Sequence, residues 1–336
     1  MKRSILGLIY FMHAIQRMGV DVNTRLKQIG LKLEEFDPTA LIHPSLDWDV
    51  FAAVSYDIHP EQGLWVGQQY TLTGYGPLLM LMLSSPNLEL ALSKGEQYHA
   101  LTHLVGHIQI QRQLEHTIVY YQPDEYPLKN IALLRAQTEV AGTFKFIREV
   151  FQMMRISAPT IQVKLPFEEP HHPEMLQQYR NYYGENVVFG MPQAEFHMAY
   201  EEISFEIPTS DIYSFKALDE QCAKELARLH DHTDEPIIVQ RVKDYLDLQY
   251  RQIPTMAETA VALSMPERTL RYQLQQVGSS YKQLRENLIQ KKAIQLLQSR
   301  QFSIEQIAEH LGYSESAAFN HAFKRWFGQS PKQYMK

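Results

Sequence analysis

Two short stretches near the end of this 336-residue chain carry side-chain types that match nucleic-acid base edges. Glu267, Arg268, Arg271 and Tyr272 recur at helical spacing, and Ser316, Ala317, Asn320 and His321 do the same 49 residues later. An arginine fork fits the two acceptors of guanine, an asparagine amide fits adenine, and an alanine or tyrosine surface packs on a thymine methyl. Lys282, Lys291, Lys292, Lys324 and Arg325 are cations suited to phosphate, which supplies affinity and register without sequence information. Other chemistries are poorly served. His99, His103 and His107 are four apart, the spacing of one helical face, and raise zinc ligation. Gly106 and the strand-like run after it would take His107 off that face, so packing roles are expected instead. His171, His172, His230 and His232 fall in expected loops. Cys222 is the only cysteine, which excludes an intramolecular disulfide and fits a reducing cytoplasm. With no Ser-His-Asp set, Walker loop or dinucleotide fingerprint, an enzyme is not expected, and neither a cofactor nor a metal is implied.

Base-reading side chains need rigid helices to carry them, and the chain from Ile237 onward is patterned as helices throughout. It contains an internal repeat. Ala260 and Leu263 correspond to Ala308 and Leu311 at an offset of 48, and Leu270 and Leu274 to Phe319 and Phe323 at 49, so the second copy has one extra residue in its turn. A helix-turn-helix requires a small residue where its helices cross and a turn-tolerant residue four positions on. Ala260 with Ser264, and Ala308 with Gly312, supply both. The expected helix joining the copies, Tyr281–Arg300, has 20 residues and spans ~30 Å, near the ~34 Å repeat of B-DNA. Two recognition helices on it can enter successive major grooves.

The charge distribution agrees. The whole chain carries −6, yet residues 236–336 hold 14 Lys+Arg against 8 Asp+Glu, net +6, leaving −12 on residues 1–235. A basic segment of that size favours a polyanion partner, here double-stranded DNA. Apolar content of 45% supports two packed domains. The longest apolar run, Leu78–Leu83, is far short of the ~20 residues a membrane span needs, so no membrane partner is expected. Met1–Met12 continues with helical spacing through Arg17 and lacks a small-x-small cleavage site, which predicts a first helix rather than a secretion signal.

Residues Ser303–Tyr334 (SIEQIAEHLGYSESAAFNHAFKRWFGQSPKQY) resemble the signature of the AraC/XylS family of transcription regulators, and the resemblance extends from Ile253 to Tyr334. In this chain Ile304, Ile307, Leu311, Phe319, Phe323 and Trp326 would centre the second motif, Gly328 would cap its last helix and Pro331 would start a terminal one. Departures from the family pattern are Pro266 at an expected Ser or Thr cap, Tyr272 and Ile289 at frequent arginines. The resemblance implies a cytoplasmic DNA-binding transcription regulator with RNA polymerase as a partner, an activator or a repressor. An architectural DNA binder and a DNA-repair methyl acceptor are the alternatives, the latter needing a reactive cysteine that Cys222, alone on an expected helix, does not resemble.

The first hundred residues are patterned as short helices: 4–18, 24–29, 48–57, 64–70, 77–83 and 87–104. A strand pair is expected at His107–Arg112 and Thr117–Gln122, a long helix at Lys129–Met154, strands at Thr160–Leu165, Val187–Phe189 and Phe196–Phe205, and helices at Glu174–Tyr183 and Asp211–Leu229. This is an α+β domain, followed by an all-α domain with two helix-turn-helix motifs joined by a long helix. The expected division is 1–229, a linker at 230–236, and 237–336. Gly74-x-Gly76, Ser84-Ser85-Pro86-x-Leu88, Tyr183-Gly184 and Val188-Phe189-Gly190 are similar to the arabinose-binding-type effector domain of the subgroup containing OruR and VirS. That similarity implies a small-molecule effector and a homodimer. Tyr10, Phe11, Tyr70, Tyr75, Tyr98, Phe144 and Phe146 are the aromatic candidates to line its pocket. Ser85 is expected to cap a helix begun by Pro86.

Overall fold

The computed structural model describes residues 2–113, 115–124, 126–199, 206–229, 235–248, 253–263, 265–299, 302–313 and 315–335. In chain order its elements are β1 (Arg3–Ser4), α1 (Leu6–Arg17), α2 (Val22–Gln28), β2 (Leu41–Ile42), α3 (Pro44–Ser55), α4 (Gly63–Gly67), α5 (Gly76–Ser84) and α6 (Leu88–Tyr98). There follow β3 (His107–Arg112), β4 (His116–Gln122), α7 (Lys129–Met153), β5 (Ile161–Lys164), α8 (Pro173–Tyr183), β6 (Ala194–Ala199) and α9 (Ile212–Leu229). The remaining described elements are helices: α10 (Ile237–Leu248), α11 (Met256–Ala262), α12 (Glu267–Gln276), α13 (Tyr281–Ser299), α14 (Ile304–His310), α15 (Ser316–Phe327) and α16 (Pro331–Tyr334).

The first of two compact units comprises Arg3–Val20 with Val54–Asp231. Its sheet has the order β3-β4-β6-β5 with every pairing antiparallel. β4, an inner strand, buries Ile118, Val119 and Tyr121. Together with the surrounding helices this makes the α+β domain expected from the mixed periodicity. α4 lies against α7 closely enough that a Cβ on Gly67 would stand 2.2 Å from the Thr138 carbonyl oxygen, and one on Gly63 2.6 Å from that of Leu134. Glycine at both places, four residues apart, is therefore a condition of that crossing. At α5 and α6 the expected cap moves by two residues. Ser85 donates its hydroxyl to the Leu81 carbonyl at 2.9 Å and so closes α5, while Asn87 caps α6 by accepting from the Leu90 amide at 2.8 Å. The long helix expected at 87–104 stops at Tyr98 and continues as a tighter turn, His99–Leu101. Val187–Phe189 forms no strand, Val188 making a single bridge to Lys164. Residues 200–205 of the last expected strand lie outside the described residues.

The second unit holds Asp21–Ala53 together with His232–Lys336, with Lys2 counted to it. Packing thus separates 21–53 from the rest of the 1–229 segment. The reason is an apolar set, Val22, Leu26, Leu31, Ile42, Leu46 and Phe51, buried in a unit where α10 contributes Val239, Val242, Tyr245 and Leu246. Polar ties add register: the Tyr245 hydroxyl donates to the Gly30 carbonyl at 3.1 Å, Arg241 pairs with Asp49 at 3.3 Å, and Lys2 pairs with Asp244. Most of the expected linker, 230–234, lies outside the described residues.

Candidate nucleic-acid interface

Local sequence sets both helix-turn-helix motifs. α11 begins with a reciprocal capping box between Thr255 and Glu258, and α14 with the same device between Ser303 and Gln306. Ala260 and Ala308 are buried where their helices cross. The turns are copies of one another: the Met265 amide donates to the Ala260 carbonyl at 3.0 Å, and the Tyr313 amide to that of Ala308 at 2.9 Å. Gly312, at φ 79°, takes the left-handed conformation this turn demands; Ser264 lies outside the described residues. The second helices start at Glu267 and Ser316, which locates the extra residue in the second turn. Pro266 precedes α12 without a side-chain cap, as its departure from the family pattern predicts.

α12 buries Leu270 and Leu274 and exposes Arg268, Arg271 and Tyr272, with Glu267 half-buried. Arg271 is held by Glu267 at 2.6 Å across one helical turn. α15 buries Phe319, Ala322 and Phe323, exposing Ala317 and His321 and leaving Ser316 and Asn320 half-buried. The Asn320 amide donates to the Ser316 carbonyl at 2.9 Å, so part of its donor capacity is engaged by its own helix. Lys282, Lys291, Lys324 and Arg325 are exposed. Lys292 differs: it is half-buried, and burial lowers its pKa against the opposing pull of Asp37 and Asp247. The joining helix α13 runs 19 residues, about 28 Å.

One residue in this region escaped the sequence reading. Glu286 on α13 accepts from the Trp326 indole at 2.6 Å and from Arg325 at 2.7 Å, and these donors hold its carboxyl below its usual range. Its only sequence signal is an acidic residue on an otherwise basic helix.

Of the aromatic candidates in the first unit, three tyrosines meet the His103 ring and Phe146 joins them through Tyr75. The His103 ring lies 5.3 Å from Tyr10, 4.9 Å from Tyr70 and 4.7 Å from Tyr75, and Tyr75 stacks on Phe146 at 4.0 Å. The others are core: Phe11 is fully buried, Phe144 stacks on Phe196, and the Tyr98 hydroxyl donates to Asp219 at 2.7 Å, burial and that carboxylate raising its pKa to about 12. Among the described residues no group of three or more His, Cys, Asp or Glu is placed to hold a metal ion. Cys222 is buried in α9 with its thiol pushed up to about 11, the reverse of what a reactive thiolate needs.

His103 is neutral in the folded chain, because burial pushes its pKa down to about 4, offset in part by the Gly74 backbone. Unfolding restores the ordinary value near 6.5, so as pH falls the unfolded chain binds the proton first. The first unit is expected to keep this contribution above pH ~6.5 and to lose about 1.4 kcal/mol per pH unit from there down to about pH 4. Chemical denaturation across that range checks it: His103→Phe should flatten the slope, and an identical slope in both proteins would refute a buried neutral His103.

A tandem of turns and helices arranged in this way is the architecture of a helix-turn-helix DNA-binding protein. Residues 259–336 match the helix-turn-helix domain family, and residues 19–202 match the arabinose-binding domain of AraC transcription regulators. The chain belongs to the AraC family of transcription regulators, in the branch with an arabinose-binding-type N-terminal domain. Its families and relatives are transcription regulators, not enzymes. It is 40% identical to the HTH-type transcriptional regulator VqsM of Pseudomonas aeruginosa over 95 residues, 28% of this chain and 29% of that protein. It is 24% identical to the ornithine utilization regulator of the same organism over 275 residues, 82% of this chain and 78% of that one. The crystal structure of the P. aeruginosa transcriptional regulator CdpR aligns over 87% of this chain and 91% of its own at 23% identity, with a TM-score of 0.44. No helix among the described residues is long and apolar enough to cross a membrane.

Proposed function

We propose that this protein binds specific DNA sequences through both helix-turn-helix motifs and regulates transcription from them under control of a small-molecule effector held in the N-terminal domain. The observation that carries the reading is the duplicated turn, with exposed Arg268, Arg271 and Tyr272 on one second helix and Ala317 and His321 on the other. Lys282, Lys291, Lys324 and Arg325 are the phosphate contacts, and Lys292, half-buried, is the weakest of that set. The effector domain is residues 1–229 and the reader 237–336, with 230–236 between them; in the packing, the reader is extended by residues 21–53. The family resemblance supports a homodimer, RNA polymerase as a partner and a cytoplasmic location. The effector acts only if it binds the two states of the regulator unequally. The cluster of Tyr10, Tyr70, Tyr75 and Phe146 about His103 is the candidate contact region, apolar with neutral polar groups.

The test is a salt titration of binding to a duplex selected by the wild-type protein from a random pool, and to a random duplex. Lys324→Ala should weaken both and lower the slope of log affinity against log salt by about one. His321→Ala should cut the preference for the selected duplex about 5- to 150-fold with the slope unchanged. An unchanged slope in Lys324→Ala would disprove the docking of the second motif.

A further inference from the structure

Arg325 and Trp326 stand in the last turns of α15, and the carboxylate that meets both belongs to α13. A single oxygen, Oε1 of Glu286, takes both bonds, at 2.7 Å from the guanidinium and 2.6 Å from the indole nitrogen. The two contacts are unequal in kind. Arg325 is 69% exposed, so its charge pair is screened by solvent and holds the helix weakly. Trp326 is half-buried, offers one directional N–H, and packs edge-on against Phe327 at 6.3 Å. A charged acceptor makes that bond about twice as strong as a neutral one.

Its leverage lies in where it acts. From Trp326 back to Ser316 is ten residues, roughly 15 Å of helix, so a 10° swing about the contact displaces the base-reading turn by roughly 2.6 Å. That is about the length of a hydrogen bond, enough to abolish a base contact while leaving phosphate contacts in reach.

We propose that Glu286 is a positioning residue: through Trp326 it sets the angle of α15 on α13 and so the sequence preference of the second motif. This rests on the DNA-binding function proposed above.

Four full-length proteins separate the two contacts: wild type, E286Q, E286A and W326F, each measured for preference between the selected and random duplexes and for salt slope. A glutamine oxygen still accepts from the indole but releases Arg325. E286Q should therefore keep its preference within about twofold, and because the exposed Arg325 pair is weak its slope should change by less than about one. W326F keeps the ring packing and the charge pair but loses the donor, so its preference should fall at least tenfold at the bases read by the second motif, with the slope unchanged. E286A should lose its preference as W326F does. W326F guards against an E286A protein that fails to fold, because no charge is disturbed in it. Wild-type preference in W326F, or loss of preference in E286Q equal to that in E286A, overturns the proposal. A wild type that prefers no duplex over random DNA instead defeats the DNA-binding reading, and this proposal with it.

Discussion

Tyr245→Ala should cost the second unit about 3–5 kcal/mol, the range for removing a buried aromatic side chain, and the damage should appear more than 200 residues away in sequence. Tyr245 is 1% exposed, and its hydroxyl donates to the Gly30 carbonyl. Denaturant melts measure the loss, and amide exchange locates it. Residues 21–53 should lose protection together with α10–α12, and residues 54–229 should keep theirs. Tyr245→Phe removes the hydroxyl alone and should cost about 0.5–1.5 kcal/mol, a typical net hydrogen-bond contribution. If 21–53 instead exchanged in step with 54–229 and ignored Tyr245→Ala, the packing of that segment with the DNA-reading helices would be wrong. The functional consequence is direct. The chain enters the second unit after residue 20 and leaves it at residue 53, so segments of the first unit are covalently attached at both ends of this stretch.

The second large effect lies in the first unit. Glu139 on α7 is 2% exposed and accepts from the Tyr121 hydroxyl at 2.9 Å, from Arg135 at 3.3 Å and from the Val105 amide. Glu139→Ala takes the acceptor from all three and leaves the Arg135 charge buried without this carboxylate, which is expected to cost about 3–5 kcal/mol. Replacing both charges with methionine should recover part of it, since no charge is then buried while the Val105 amide still lacks the acceptor it had in Glu139. Urea unfolding of wild type, single and double variants measures this. A loss below about 1 kcal/mol in Glu139→Ala would mean that water reaches the group and that the pair is not a buried one. Val105 stands two residues after His103, so the carboxylate also anchors the segment that presents His103 to the tyrosines.

The second helix-turn-helix was legible almost residue by residue. Its signals are short-range: a small residue at the crossing, a glycine at the turn, Gly328 after the second helix and Pro331 at the start of the last. Some helix ends in the first hundred residues were close, because proline and glycine interrupt helices by their own backbone geometry, but α3 begins at Pro44, four residues before its expected start, and α6 stops six residues short of its expected end. The error at Ser85 and Asn87 has a local cause too. Either side chain can cap, and the choice went to Asn87 because Ser85 turned its hydroxyl to the end of α5. Among the aromatics, residue type alone could not separate Tyr75, which meets His103, from Tyr98, which meets Asp219.

By itself, the sequence determined what neighbours within a few positions control: most helix starts, the duplicated turn, and the charge that divides a basic C-terminal segment from an acidic remainder. Tertiary structure alone decided which distant surfaces meet. It moved residues 21–53 into the reading unit, set the strand order β3-β4-β6-β5, gathered three tyrosines and Phe146 about His103, and brought Glu286 under Trp326. The division has a physical reason. A cap or a turn is selected by the geometry of a few adjacent bonds, whereas burial is non-directional and accepts any apolar face of fitting shape, so its partners are chosen only when the whole chain packs.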